Sequence, residues 1–201
     1  MNNHLSMKRI ITFVFSALIA VIAMAQEAKP HLQFKGIPIQ GSISEFCNKL
    51  ENKGFHPVYS SETDLKIFKG DFTGRPATVG VKSTEDGKNV FGVTVLFEES
   101  SDWNTLESLY NYYKDLYTTK YGKPKTCIED NREKNRRYSS NTSLMYELSQ
   151  GRVTWCSQYK VEGGNIKLSI EKSGISEGVV VIKYQDSQNV EQKRQNDLDD
   201  I

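Results

Sequence analysis

Three cysteines, five prolines and two tryptophans in 201 residues leave little covalent or rigid scaffolding to hold a fold together. A disulfide-dense mini-protein is excluded at that cysteine count. Also missing are a phosphate-binding loop, a nucleophile elbow, a His-Glu metalloprotease helix and a dinucleotide fingerprint, which takes weight from any enzymatic reading. Neither sign of charge dominates, because 26 Lys and Arg stand against 25 Asp and Glu. Proteins that grip nucleic acid need a basic excess to release counterions from phosphates, so nucleic acid is not expected as a partner. His and Cys do not recur in pairs about two to four residues apart, the spacing zinc prefers, so no metal or other cofactor is expected. Beyond residue 22 no apolar run approaches the roughly 20 residues of a bilayer span, and no stable membrane anchor is expected.

What is present begins with a leader. Lys8-Arg9 precede an apolar run over residues 10–22, and Ala23-Met24-Ala25 end it with small side chains. This is the pattern of a secretory signal peptide, residues 1–25, cleaved near Ala25. No Cys follows the cleavage point, so the product is expected to be soluble, without a lipid anchor, and periplasmic or secreted. Loss of Lys8 and Arg9 turns the formal charge of +1 into about −1. Roughly 175 residues remain, enough for one domain with a sizeable core.

The remainder reads as helix, strands, helix, strands. Residues 31–39 alternate briefly and predict a short edge strand that Pro38 interrupts. Ser42-Ile43-Ser44-Glu45 is a capping box, and Ile43, Phe46, Cys47 and Leu50 form one apolar helical stripe that stops at Gly54. Strands are expected over residues 57–60, 65–72, 77–83 and 90–98, the last central in its sheet because both faces are small or apolar. A longer helix over residues 102–121 is marked by the stripe Trp103, Leu106, Tyr110, Tyr113 and Tyr117, joined by Leu109 and Leu116, with Asp102 as cap and Gly122-Lys123-Pro124 as stop. Further strands are expected over residues 126–129, 144–149, 152–161, 165–171 and 179–185. Residues 187–201 are almost wholly polar and are expected to be a disordered tail. Residues 26–186 therefore predict a single antiparallel α+β domain, two helices packed on sheet. Its two α-β-β-β halves, residues 31–98 and 99–186, suggest a tandem duplication.

An odd number of cysteines leaves at least one thiol unpaired within the exported monomer. Val153, Trp155, Tyr159 and Val161 share one strand face, which turns Cys156 to the other, and Cys127 is read as opposing Ile128. The expected disulfide is Cys127 to Cys156, with Cys47 free on its apolar stripe; closing that loop would stabilise by about 3–4 kcal/mol in the chain-entropy model. A nucleophilic Cys47 would need an imidazole from His31 or His56, but a Cys on an apolar stripe behaves as a small hydrophobe.

Glu98-Glu99 and Asp199-Asp200 are adjacent carboxylates whose strand geometry or loose setting argues for solvated surface rather than an acid/base pair. No catalytic residue is assigned. Arg132, Lys134, Arg136 and Arg137 place four cations in a polar loop, a candidate binding site for an anionic ligand or an acidic protein face, set against a simply solvated loop. Tyr112 and Tyr121 lie off the centre of the second helix's stripe, where exposed aromatics favour contacts with protein or sugar.

The segment Leu32-Gln33-Phe34-Lys35-Gly36-Ile37-Pro38-Ile39-Gln40-Gly41-Ser42, continuing to Phe46, Leu50 and Lys53-Gly54-Phe55, resembles the opening of small exported proteins of uncharacterised function from Bacteroidetes. The same opening is loosely similar to the short N-terminal domains of secretins and TonB-dependent receptors, although nothing downstream looks like a secretin or a barrel. The repeated helix-then-strands order is similar to the β-lactamase-inhibitor-protein-like architecture, and that resemblance implies protein binding rather than turnover. The expected function is a soluble, non-enzymatic exported module recognising an envelope or secreted protein through a sheet face or the loops near residues 131–141. The alternative is a small periplasmic hydrolase acting on a glycan or peptide.

Overall fold

A computed structural model describes residues 30–131, 141–199 and 201. The leader and the basic cluster Arg132, Lys134, Arg136 and Arg137 lie outside them. Alternation begins at Leu32, but the chain reverses at Lys35-Gly36, whose φ angles of 49° and 79° are those of a two-residue type I′ turn. The expected edge strand is therefore a hairpin, β1 (Gln33–Phe34) and β2 (Ile37–Pro38), forming a sheet of its own. Phe34 is fully buried, stacked 5.7 Å from Phe72 and edge-on at 5.2 Å to Tyr184. Burying a side chain of that size stabilises by about 1.5–3 kcal/mol, enough to dock a short hairpin.

The capping residue Ser42 accepts the Glu45 amide at 3.3 Å and starts α1 (Ile43–Glu51). Its buried residues are the four of the expected stripe. Four antiparallel strands follow as a meander: β3 (His56–Val58), β4 (Leu65–Asp71), β5 (Pro76–Ser83) and β6 (Val90–Leu96). A register shift at Lys82/Ser83 turns Val90 into the core.

The second helix, α2 (Trp103–Tyr121), runs from the Asp102 cap to Gly122, and its buried residues are again the expected stripe. Leu116 does not belong to it and is 41% exposed. Beyond α2 lie β7 (Thr126–Asn131), α3 (Asn141–Ser149), β8 (Val153–Val161), β9 (Gly164–Lys172), β10 (Gly178–Asp186) and α4 (Ser187–Asp199). Strands β7 to β10 form a second meander, and β10 joins β6 antiparallel, so eight strands run in the order β3-β4-β5-β6-β10-β9-β8-β7. The architecture is mixed α+β, and β6 lies at the middle of the sheet as its apolar composition required.

Two expected elements are corrected. Residues 144–149 are helical rather than extended: Met145 and Leu148 enter the core one turn apart, so the Leu144-Tyr146-Leu148 alternation was the weaker periodicity. Residues 187–199 form α4 rather than a loose tail. Asp186 accepts the Gln188 and Asn189 amides, buried Asn189 donates to the carbonyls of Ile39 and Val90, and Lys193 pairs with Asp197 at 2.6 Å one turn on.

The core sits on one face of the sheet. Stripe residues of α1, α2 and α3 join Val79, Val93, Val95, Leu168, Ile170, Val180 and Ile182 in one hydrophobic cluster. Tyr110 and Tyr117 bring hydroxyls into it and give each a partner, Ser157 at 2.7 Å and the Tyr184 hydroxyl. Burial holds both phenols protonated, well above their ordinary range.

Candidate functional site

Strand parity decides where each thiol goes. Cys127 pairs with Ser157 and Cys156 with Ile128, so Cys127 faces the helices while Cys156 faces the opposite side of the sheet. The structure leaves Cys47, Cys127 and Cys156 all free, and a Cys127–Cys156 bridge is incompatible with this register. Ile128, taken as the core-facing neighbour of Cys127, points outward and is exposed instead.

Cys127 is exposed, 3.4 Å from a Glu129 carboxylate oxygen and 3.6 Å from the Ser157 hydroxyl. Lys114 Nζ sits 2.5 Å from the same carboxylate. Burial resists ionisation of Glu129, but the bonds from Lys114 and Cys127 outweigh it and hold its carboxyl below the usual range; the bond in turn raises Lys114. Cys47 is buried, and that burial pushes its thiol up to about 11, the state of an inert hydrophobe rather than a nucleophile. Burial also raises Cys156. Thiol labelling of the native protein at neutral pH is expected to modify Cys127 first and Cys47 last, and unreduced unfolded protein to titrate three thiols. A count of one would restore the disulfide.

His31 does meet a carboxylate, with Nδ1 3.1 Å from Asp186. That carboxylate is fully buried and already accepts three backbone N–H groups, from Leu32, Gln188 and Asn189. The geometry is a structural clasp, not a general base with free lone pairs. His56 is exposed on β3. Among the described residues no cluster of three or more His, Cys, Asp or Glu could hold a metal, and no helix is long and apolar enough to cross a membrane.

Two surfaces remain as candidate sites. The first is the sheet face away from the core. One row across it runs Lys69, Thr78, Leu96, Val181, Ser169, Cys156 and Ile128. The next runs Ile67, Gly80, Thr94, Lys183, Lys167 and Gln158, with Lys82 and Lys160 one row further on the same face. Most of these side chains are half-buried or exposed, while Cys156, Val179 and Val181 are buried there yet stand apart from the main core. Five lysines share the face with Glu171, which takes Lys183 at 2.9 Å and Lys167 at 3.8 Å; Lys82 pairs with Asp64 at 2.8 Å. The Glu171 carboxyl is held low although burial opposes it, because Lys183 and Ser169 donate to it.

The second surface is an open cleft of about 770 Å³ between α2 and the β4–β5 turn. One wall is Gly74-Arg75-Pro76, the other is Asn104, Thr105 and Ser108 on α2, and the segment from Phe97 to Ser100 lies between them. Thr73, a β-branched residue at φ 56°, occupies the first position of that turn, with Gly74 at 80°. Its strain is held by the Tyr113 hydroxyl, 2.7 Å from Thr73 Oγ1 and donating to the Phe72 carbonyl at 3.2 Å. Strand alternation would turn Glu98 and Glu99 to opposite faces as solvated surface. β6 ends at Leu96, so strand alternation no longer applies, and both residues line the cleft. Arg75 lies 5.3 Å over the Tyr112 ring, which is exposed as its position off the stripe required. Tyr121, by contrast, is half-buried and stacks on Tyr117. No signal short of the fold marked Arg75, because nothing in its local sequence ties it to α2. No protein-family model, curated protein or solved structure matches the chain.

Proposed function

We propose that this chain is an exported, non-enzymatic binding module whose partner is an acidic surface of an envelope or secreted protein. The observation that carries the reading is the eight-stranded sheet with helices α1, α2 and α3 packed into the core on one face and a lysine-rich face on the other. A rigid, hydrogen-bonded platform of this width offers area without an ordering cost on binding. Lysines set on rigid strands steer an anionic partner and lend salt sensitivity. Lys69 and Lys160 have no ion-pair partner among the described residues, so their charge is available.

The strand order supports a duplication. Each half is a helix followed by a four-stranded meander, α1 with β3 to β6 and α2 with β7 to β10, and the halves abut through their last strands. The second half carries α3 as an insertion between its first two strands. Each half carries one strand more than the α-β-β-β unit read from the sequence, and the helix-then-strands order is still similar to the inhibitor-like architecture, whose members bind proteins.

The test is affinity capture from an envelope extract with residues 26–201 as bait, reading retained proteins by mass spectrometry. The expected partner is stoichiometric, released by about 0.5 M salt and weakened at least about tenfold by Lys69→Glu with Lys160→Glu. Lys49→Glu on the exposed side of α1 should leave it bound. A partner indifferent to the sheet-face pair, or none above background, would retire this reading.

A further inference from the structure

The cleft between α2 and the β4–β5 turn has the features of a site for a small ligand, independent of the sheet face. Its size falls in the range of about 300–1,000 Å³ typical of such sites. Charges of opposite sign meet in it without neutralising each other. Among the described residues Arg75 has no carboxylate within ion-pair distance and is instead held against the Tyr112 ring, which fixes the guanidinium plane while leaving its edge free. Glu98 is likewise unpaired among the described residues, and Glu99 takes a hydrogen bond from the Ser173 hydroxyl. Two opposite charges facing one cleft, each unpaired, suit a ligand that carries both complements.

The wall that bears Arg75 is built rather than loose. Tyr113, fully buried on α2, reaches the turn through its hydroxyl and holds Thr73 in a left-handed conformation that a β-branched residue rarely adopts. The Asp71 carboxylate accepts the Gly74 amide at 2.7 Å and tightens the same turn. Asn104 and Ser108 supply an amide and a hydroxyl along the facing wall, able to donate to and accept from a peptide backbone, while the Thr105 hydroxyl, which donates to Asp102 Oδ2 at 2.7 Å, can accept. Phe97 and Leu109 give an apolar base, with the Phe97 ring fixed by stacking 4.6 Å from Tyr113.

We propose that this cleft binds a short peptide in zwitterionic form, its terminal carboxylate on Arg75, its ammonium on Glu98 and Glu99, and an aliphatic side chain over Phe97 and Leu109. A planar guanidinium takes a carboxylate through two parallel bonds, and an ammonium is met by a pair of carboxylates at the far end. A ligand lacking either terminus forgoes one of the two charge-assisted contacts. Both ends are therefore read, and amidation or acetylation each weaken binding.

The experiment is calorimetric titration of residues 26–201 with trialanine and trileucine, each also as its N-acetyl and its C-terminal amide form. Saturable binding of at least one free tripeptide is expected, about tenfold weaker after either modification. Arg75→Ala should weaken the free peptide and abolish the difference between acid and amide. The pair Glu98→Gln with Glu99→Gln should instead abolish the difference between free and acetylated amine. All three residues are exposed, and circular dichroism of the variants confirms that the fold is intact. No saturable binding of either free tripeptide up to about 10 mM, or binding that neither variant alters, would overturn the proposal.

Discussion

Replacing Asp186 with alanine is expected to lower the unfolding free energy by about 3–5 kcal/mol, a large share of the roughly 5–15 kcal/mol typical of a domain. The carboxylate is fully buried, with Oδ2 taking the Leu32 amide at 2.8 Å and Oδ1 the Gln188 and Asn189 amides at 3.1 and 2.9 Å. Removing it strands three backbone donors at once. Two of them are first-turn groups of α4, whose loss of a cap alone costs about 0.5–2 kcal/mol. The third anchors the β1–β2 hairpin, so the variant also loosens Phe34 from Tyr184. Asp186→Asn keeps an acceptor and the shape, and should cost about 1–2 kcal/mol. Urea unfolding followed by the fluorescence of Trp103 and Trp155 measures both. An unchanged midpoint for Asp186→Ala would show that the clasp holds nothing.

Asp186 was invisible in the sequence, as the last residue of a strand before a run of polar side chains, and that setting explains most of what escaped. Helices α1 and α2 were legible because capping residue, apolar stripe and terminal glycine agree within each segment, and no distant contact is needed to define them. Helix α4 was not, since its polar composition gives no stripe and its stability comes from Asp186 and from Asn189 bonding to Ile39 and Val90, far away in the chain. The thiol pairing failed for a related reason. Which way Cys127 points is set by its register against β8, and β7 is an edge strand whose outward side carries Ile128, so composition misreports the face. The cleft combines both limits: Arg75 lies in a turn, Glu98 in the segment after β6 and Tyr113 on α2, and only the packed fold brings their chemistry together.

Gly164→Ala is expected to be the second most damaging single change, at about 3 kcal/mol and about 6–12 °C in Tm for a domain of this size. A Cβ at this position would lie 2.2 Å from the Gln185 carbonyl oxygen and 3.1 Å from Leu32 Cδ2. The obstacle is backbone, so no rotamer change relieves it, and the end of the β9–β10 ladder, where Gly164 pairs with Asp186, must open. Gly80→Ala provides the control. Its Cβ would meet Leu65 Cδ1 at 3.5 Å, an ordinary contact, and the change should be near neutral or slightly stabilising because alanine restricts the unfolded chain. Gly164 and Asp186 face each other in one ladder, so their effects should not add. Opening the ladder at Gly164 already displaces the carboxylate from the Leu32 amide, and Asp186→Ala in that background should cost less than it does alone. Additive losses in the double-mutant cycle would mean that Gly164 secures only its own turn, and that the hairpin is clasped by Asp186 without help from the strand beside it.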